Sequence, residues 1–298
     1  TAKGEAEALE ALFGVYHDDN PGVNIVNTTV VGGAGINGKA VLKTRVLSGD
    51  PPDSFQVHGG AELIESWVKT GFLEPVTFLW EKHNWKECFP QVIIEMLQYE
   101  NEIYGVPVNI HRSNSLWYNP QIFAEHNVQP PKSFDQFFTV ADHLQAKGIT
   151  PLAVASRNNW PVTHLFETIL VGIGGAPFYQ DLFAGKIAWT DPKVKEALTL
   201  LEKMFFYANP DHLNITWDQA CEKVLQKQAA MTVMGDWAKG YFLTRGGVPG
   251  SDFALLPTLN TEGIFILITD TFGLTKGARN RQNAVCWLET MASLRGQK

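Results

Sequence analysis

Long apolar runs and basic clusters are both missing from this chain of 298 residues. The longest apolar stretches, such as Gly263 to Ile268, fall far short of the roughly 20 residues a membrane-spanning helix requires. Basic side chains number 24 against 31 acidic ones, a formal net charge of -7. Phosphate backbones need a Lys/Arg footprint, so nucleic acid is excluded as a partner. An anionic membrane surface fails on the same ground. Cysteine is scarce: Cys88, Cys221 and Cys286 lie far apart with no CxxC pair. That excludes a zinc ribbon or a thioredoxin-like dithiol, and the odd number leaves at least one thiol unpaired within the chain. Cys221 and Cys286 fall on apolar-periodic helices and are expected as buried small thiols. Walker A, GxSxG and HExxH patterns are absent. The phosphate loop, nucleophile elbow and zinc-protease helix those patterns mark are therefore not expected, and no cofactor or metal is expected either. The chain opens at Thr1 with neither Met nor a signal sequence, as a mature or shortened product would.

What is present is an ordinary globular composition, 45% hydrophobic and 18% charged. At about 150 residues per domain, the length favours two lobes or one large one. A chain this long buries about three quarters of its unfolded surface and needs no disulfide or metal staple. Tryptophan is abundant, with 9 residues. An indole offers a flat apolar face with a polar edge, which suits the C–H face of a sugar ring as well as a protein core.

Helix periodicity runs through Ala6, Leu9, Phe13 and Tyr16. A β-branched segment over Val23 to Val31 predicts a strand, Lys39 to Leu47 a helix, Ser54 to His58 a short strand and Glu62 to Lys69 a helix. This alternation predicts an α/β lobe with a largely parallel sheet. Further on, Ser133 reads as an N-cap for a helix over Phe134 to Lys147. Val162 to Val171 reads as a helix running into a glycine cluster at Gly172, Gly174 and Gly175. Asp191-Pro192 opens another helix, with a stripe of Val194, Leu198, Leu201 and Phe205. Strands are expected at Pro151 to Ala155, Ala229 to Met234, Phe253 to Leu256 and Ile264 to Ile268, the last of them buried. A final helix over Asn280 to Ser293 carries Ala284, Trp287, Leu288 and Met291 on one face. Extended crossings near 109–112 and 258–264 divide the chain into a first α/β lobe of 1–109 with 262–298 and a second of 110–261.

Three motifs invite chemistry. Gly33-Ala34-Gly35-Ile36-Asn37-Gly38 is a literal GxGxxG, but a dinucleotide fold needs a carboxylate at the end of the next strand. That strand ends Phe55-Gln56-Val57-His58 without one, so a loop that lets backbone approach a ligand is expected instead. His164 and Glu167 share a helix face and are expected as a surface pair, lacking further metal ligands nearby. Asp236 and Asp270 each follow the end of a predicted strand, where ligand groups gather in open α/β sheets. They suit either glycoside hydrolysis or bidentate acceptance of sugar hydroxyls.

Several stretches resemble the glucose-binding branch of the bacterial extracellular solute-binding proteins that serve ABC importers. They are Gly4-Glu5, Asn20-Pro21-Gly22-Val23, Pro51-Pro52-Asp53, Phe55-Gln56-Val57-His58, Tyr104-Gly105-Val106-Pro107, Trp117-Tyr118-Asn119, Met234-Gly235-Asp236-Trp237 and Asp270-Thr271-Phe272-Gly273. They follow the family's order over essentially the whole chain. The resemblance implies a two-lobed periplasmic-binding-protein-like fold of type II, with a hinge and a central ligand cleft, shortened at both ends. It implies a monomer in the periplasm or on the outer face of the envelope, which binds a monosaccharide, hands it to ABC permease subunits and is not an enzyme. Carried over residue by residue, Glu5, Gln56, His58 and Asp270 are implied as polar sugar contacts, Trp237 and Trp217 as stacking rings, and His111 as a contact at the crossing. Two departures are a missing strand with a Trp pair before Thr1, and a missing tail of about a hundred residues after Lys298 that supplies a lysine and a histidine in the family.

Overall fold

The computed structural model describes residues 4–30, 32 and 35–298. Two compact units emerge, each with its own core. One comprises 6–111 and 267–298; the other comprises 112–266 with Gly4 and Glu5.

In the first unit the strand Asp270–Thr275 is central. It pairs antiparallel with Ser54–His58, Leu73–Glu74 and Val106–Pro107. The expected parallel arrangement is therefore wrong for this unit. The central strand arrives from far along the chain and runs back against its neighbours, so no local strand–helix–strand crossover sets its direction. Alternation works as expected in Ser54–His58: Phe55 and Val57 face the core, while Gln56 and His58 face away from it. Helices Glu5–Asp19 and Arg281–Ala292 contribute Leu12, Tyr16, Leu288 and Met291 to the core, beside Trp80, Ile93 and Leu97. Each such side chain, fully buried, is worth about 1.5–3 kcal/mol.

The expected strand at 23–31 is not found. Residues 23–30 carry no ladder, and Val31 lies outside the described residues. Val26 is 74% exposed, and Asn27 turns its side chain onto Thr29, whose amide and hydroxyl both donate to it. That local bonding competes with ladder formation. Of the GxGxxG segment, Gly33 and Ala34 also lie outside the described residues; Gly35, at φ 67°, precedes helix Ile36–Leu47.

The second unit is built on a four-stranded sheet in the order Ala254–Pro257, Ser115–Tyr118, Ala229–Val233, Thr150–Ala153. Only its last pair is parallel. Ala229–Val233 is buried throughout, as a strand covered on both faces should be. Four helix starts are capped among the described residues: Asn119 Oδ1 accepts from Gln121 N at 3.0 Å, Ser133 Oγ from Gln136 N at 3.2 Å, Asp191 Oδ1 from Lys193 N at 2.9 Å, and Thr216 forms a capping box with Gln219.

The helix from Trp160 runs on to Phe183, well past the expected end, but breaks at Gly175 (φ 75°, ψ 172°). Only glycine takes that backbone angle cheaply. In helix Pro192–Phe205 the expected Val194, Leu201 and Phe205 pack against the core, joined by Ala197 and Met204, while Leu198 is exposed. The strand expected at 264–268 shrinks to Leu267–Ile268, with Phe265 exposed. Among the described residues, no helix is long and apolar enough to cross a membrane. Cys221 is buried and its thiol is pushed up by desolvation, Cys286 is half-buried, and Cys88 is exposed.

Candidate binding site

At one end of the first unit's sheet, where the central strand begins, polar side chains converge on Asp270. The ladder sets His58 directly opposite Asp270, so both project on the same face. Asp270 Oδ1 accepts a short hydrogen bond from Gln56 Nε2 and lies 3.5 Å from His58 Nε2. Its Oδ2 accepts from Asn109 Nδ2 at 2.7 Å and lies 3.7 Å from His111 Nε2. Asn109 is itself fixed, because its Oδ1 accepts from the Asp270 amide at 2.9 Å and its carbonyl accepts from Thr269 Oγ1 at 2.7 Å. A carboxylate has about four acceptor positions. Two are filled by amide donors, and the imidazoles stand beyond hydrogen-bond range, so acceptor capacity remains for a ligand.

A second carboxylate orients His58. Glu62 opens the helical turn after the strand, four residues on, and its Oε2 lies 2.7 Å from both His58 Nδ1 and Lys39 Nζ. The bond to Glu62 holds the His58 imidazole above its usual range, with Asp270 adding to this; partial burial and Lys39 oppose it. Burial pushes the Glu62 carboxyl up, but the bonds from His58 and Lys39 outweigh that and hold it below its usual range. His58 is 29% exposed and Asp270 19%: accessible, yet shielded enough for the charges to feel one another.

The second unit presents aromatic rings. Trp237 is half-buried and follows the end of the buried strand Ala229–Val233. Its indole lies over Gly235, where a Cβ would stand 2.1 Å from Trp237 Cζ3. The preceding carbonyls of Met234 and Gly235 both accept from Trp117 Nε1, at 2.9 and 3.2 Å. Asp236 Oδ2 accepts from the Arg112 amide at 3.0 Å, and the Asp236 amide donates to the Arg112 carbonyl at 2.9 Å. Trp217 is only 7% exposed, packed with Trp117, Cys221 and Phe242, and presents little face to a ligand. Glu5 is carried by Gly4 (φ 99°), which packs on helix Ala238–Thr244 so tightly that a Cβ would lie 2.8 Å from the Gly240 carbonyl carbon.

His164 and Glu167 do not form a surface pair. His164 is buried, its Nδ1 3.0 Å from Ser113 Oγ, while Glu167 accepts from Tyr179 Oη at 3.0 Å. The helix turns that face into the sheet because Trp160 and Trp237 pack against His164. Among the described residues, no group of three or more metal-ligating side chains stands together.

Residues 2–298 match the family model for bacterial extracellular solute-binding proteins. The chain belongs to that family. An ABC transporter extracellular-binding protein of Pyrococcus horikoshii is 40% identical over 299 residues, spanning 100% of this chain and 67% of that protein. A probable sugar-binding periplasmic protein of Brucella suis is 29% identical over 287 residues, 94% of this chain and 66% of that one. The chain thus spans about two thirds of the length of these curated relatives. The solved bacterial solute receptor AcbH, described as exclusive for β-D-galactopyranose, superposes with a TM-score of 0.86 at 21% identity, over 100% of this chain and 75% of that one. The two-lobed α/β fold of solute receptors is therefore this chain's fold.

Members of this family are binding proteins, not enzymes, so Asp236 and Asp270 need no hydrolytic role. For a solute-binding protein, the structure adds Asn109, Glu62 and Lys39 to the residues expected from sequence. Glu62 was findable as the carboxylate one turn after His58. Asn109, two residues before His111, carried no such signal, because its bond to Asp270 spans 161 positions.

Proposed function

We propose that this chain binds a sugar, a monosaccharide such as glucose or galactose, and delivers it as a monomer to ABC permease subunits at the outer face of the cell envelope. The observation that carries the reading is the cluster around Asp270. A hexose edge offers adjacent hydroxyls that donate and accept, and Asp270, Gln56, His58 and Asn109 form a compact set of matching acceptors and donors. Hydrogen bonds to charged partners contribute about 1.5–3 kcal/mol each, against about 1 for neutral ones, so the carboxylate dominates. The half-buried Trp237 offers a face for the apolar C–H side of a sugar. Glu5 and His111 complete the proposed contacts; Trp217 serves the core of the second unit. The names of the relatives, a sugar-binding periplasmic protein and a galactopyranose receptor, agree with this class of ligand.

Calorimetric titration with D-glucose, D-galactose, D-mannose and D-xylose tests the proposal. Saturable heat with at least one of them, lost or strongly weakened in Asp270→Asn, is expected. No heat with any sugar, or an Asp270→Asn variant that binds as well as its parent, would overturn it.

A further inference from the structure

Two buried nitrogens of the second unit have no hydrogen-bond partner among the described residues, and they belong to neighbouring rings: Trp160 Nε1 and His164 Nε2. Trp160 and His164 are one helical turn apart, on the same face of the helix that starts at Trp160. Their ring centroids are 6.2 Å apart and the rings are near perpendicular. Trp237 closes the triangle, 6.2 Å from Trp160 and 5.6 Å from His164. The two indoles are half-buried, while the imidazole is 6% exposed. Two half-buried indoles thus flank the buried imidazole, and two of the three rings carry a buried nitrogen with no hydrogen-bond partner among the described residues.

An unpartnered buried N–H or ring nitrogen costs about 1–3 kcal/mol, and native folds rarely keep two side by side unless something else fills the gap. Two hydrogen bonds of about 2.9 Å laid end to end reach nearly 6 Å. Bent at a single oxygen, two such bonds link nitrogens up to about 5 Å apart, a reach comparable with the 6.2 Å between these ring centroids.

Resting on the sugar-binding reading, we propose that Trp160, His164 and Trp237 form a hydroxyl-binding subsite: one sugar hydroxyl accepts from Trp160 Nε1–H and donates to His164 Nε2. With the His164 Nδ1–H given to Ser113 Oγ at 3.0 Å, Nε2 is left as a lone-pair acceptor, which is the half a hydroxyl proton needs. Burial pushes the His164 pKa down to about 4, against a smaller opposing effect of the Ser113 backbone, so the ring stays neutral and keeps that lone pair at ordinary pH. A hydroxyl, like water, satisfies both nitrogens at once. A carboxylate has no proton for Nε2, and an ammonium has no lone pair for the indole N–H. Trp160 and His164 thereby become specificity residues, reading the presence of one hydroxyl next to the Trp237 ring.

Singly deoxygenated analogues test this. The intact protein is titrated with whichever of D-glucose, D-galactose and D-xylose gives heat, and then with that sugar lacking one hydroxyl at a time. One analogue should bind the parent roughly tenfold more weakly. That penalty should vanish in Trp160→Phe, and again in His164→Asn, which keeps a side-chain nitrogen for Ser113 but nothing at the Nε2 position. The Trp160 indole N–H resonance of the unmutated protein should move when the full sugar is added and stay in place with that analogue. If sugar binds but every deoxy penalty is the same in parent and variants, or the indole resonance does not respond, the subsite is refuted while the sugar-binding function stands. If no sugar gives heat, both fall together.

Discussion

His58 and Asp270 stand opposite one another in an antiparallel ladder, yet neither bonds mainly to the other: His58 gives its Nδ1 side to Glu62 at 2.7 Å and keeps Nε2 3.5 Å from Asp270. The pair is thus held apart by partners on either side. Neither group is spent on the other, so a sugar hydroxyl beside the pair can bond to the carboxylate and the imidazole alike. Asp270→Asn keeps the shape and removes the charge. It should weaken sugar affinity roughly ten- to hundredfold, the value of one charge-assisted bond. Isothermal titration calorimetry measures this, and unchanged affinity would exclude Asp270 from the site.

The His58–Glu62 bond should also appear in the pH dependence of stability. His58 is raised above its ordinary 6.5 and Glu62 lowered below its ordinary 4.5. A raised histidine contributes stability that is fully present below its unfolded value and is lost as pH climbs through the folded one. A lowered carboxylate contributes above its unfolded value and loses that as pH falls through the folded one. Both contributions coexist between about pH 4.5 and 6.5, with Lys39, Asp270 and His111 as the other charged or titratable neighbours. Thermal melts of the parent and of His58→Asn should therefore differ most in that window and converge at higher pH. A constant difference from about pH 5 to 9 would mean that His58 is not held by Glu62.

Trp237 depends on the bareness of Gly235. A methyl group there would sit 2.1 Å from the indole, far inside van der Waals contact, so the ring must swing away. Gly235→Ala should shift the tryptophan emission of the sugar-free protein and lower sugar affinity at least roughly fivefold. Fluorescence titration reads both. Parent-like emission and affinity would show that the ring has no fixed role.

Much of this was legible from residue order, and the parts that were not share a cause. The helices Phe134–Ala146, Pro192–Phe205 and Arg281–Ala292 follow from caps and apolar spacing, which are local. The antiparallel first sheet was missed because its central strand comes from the far end of the chain, and strand pairing at that range leaves no mark on periodicity. Val23 to Val31 looked like a strand by composition; Val23 and Ile25 do pack against the core, but residues 23–30 find no neighbouring strand to pair with, and β propensity alone does not supply one. Gln56, His58 and Asp270 were found through motif resemblance. Asn109, Glu62 and Lys39 act by orienting them, and neither composition nor spacing marks a residue whose work is to hold another in place. His164 was misjudged for a related reason. Helix periodicity tells which residues share a face but not whether that face meets solvent or a pair of indoles.

Trp117 links the core of the second unit to its candidate site. It is fully buried, tilted against Phe242 and Phe253, and its single N–H serves the carbonyls of both Met234 and Gly235. Those two carbonyls belong to the segment that delivers Asp236 and Trp237. Trp117→Phe would leave a void where the larger ring was and strip two buried carbonyls of their donor, at a cost of about 2–4 kcal/mol. Urea unfolding followed by circular dichroism should show a lower midpoint with an unchanged slope, since the surface exposed on unfolding hardly changes. The loss should not be confined to stability. Released from its donor, the 234–237 turn has less to fix the direction of the Trp237 ring, so sugar affinity should fall in the same variant under conditions where it is fully folded. A Trp117→Phe protein that loses stability but binds sugar as its parent does would show that the turn is held by the Arg112–Asp236 bonds alone.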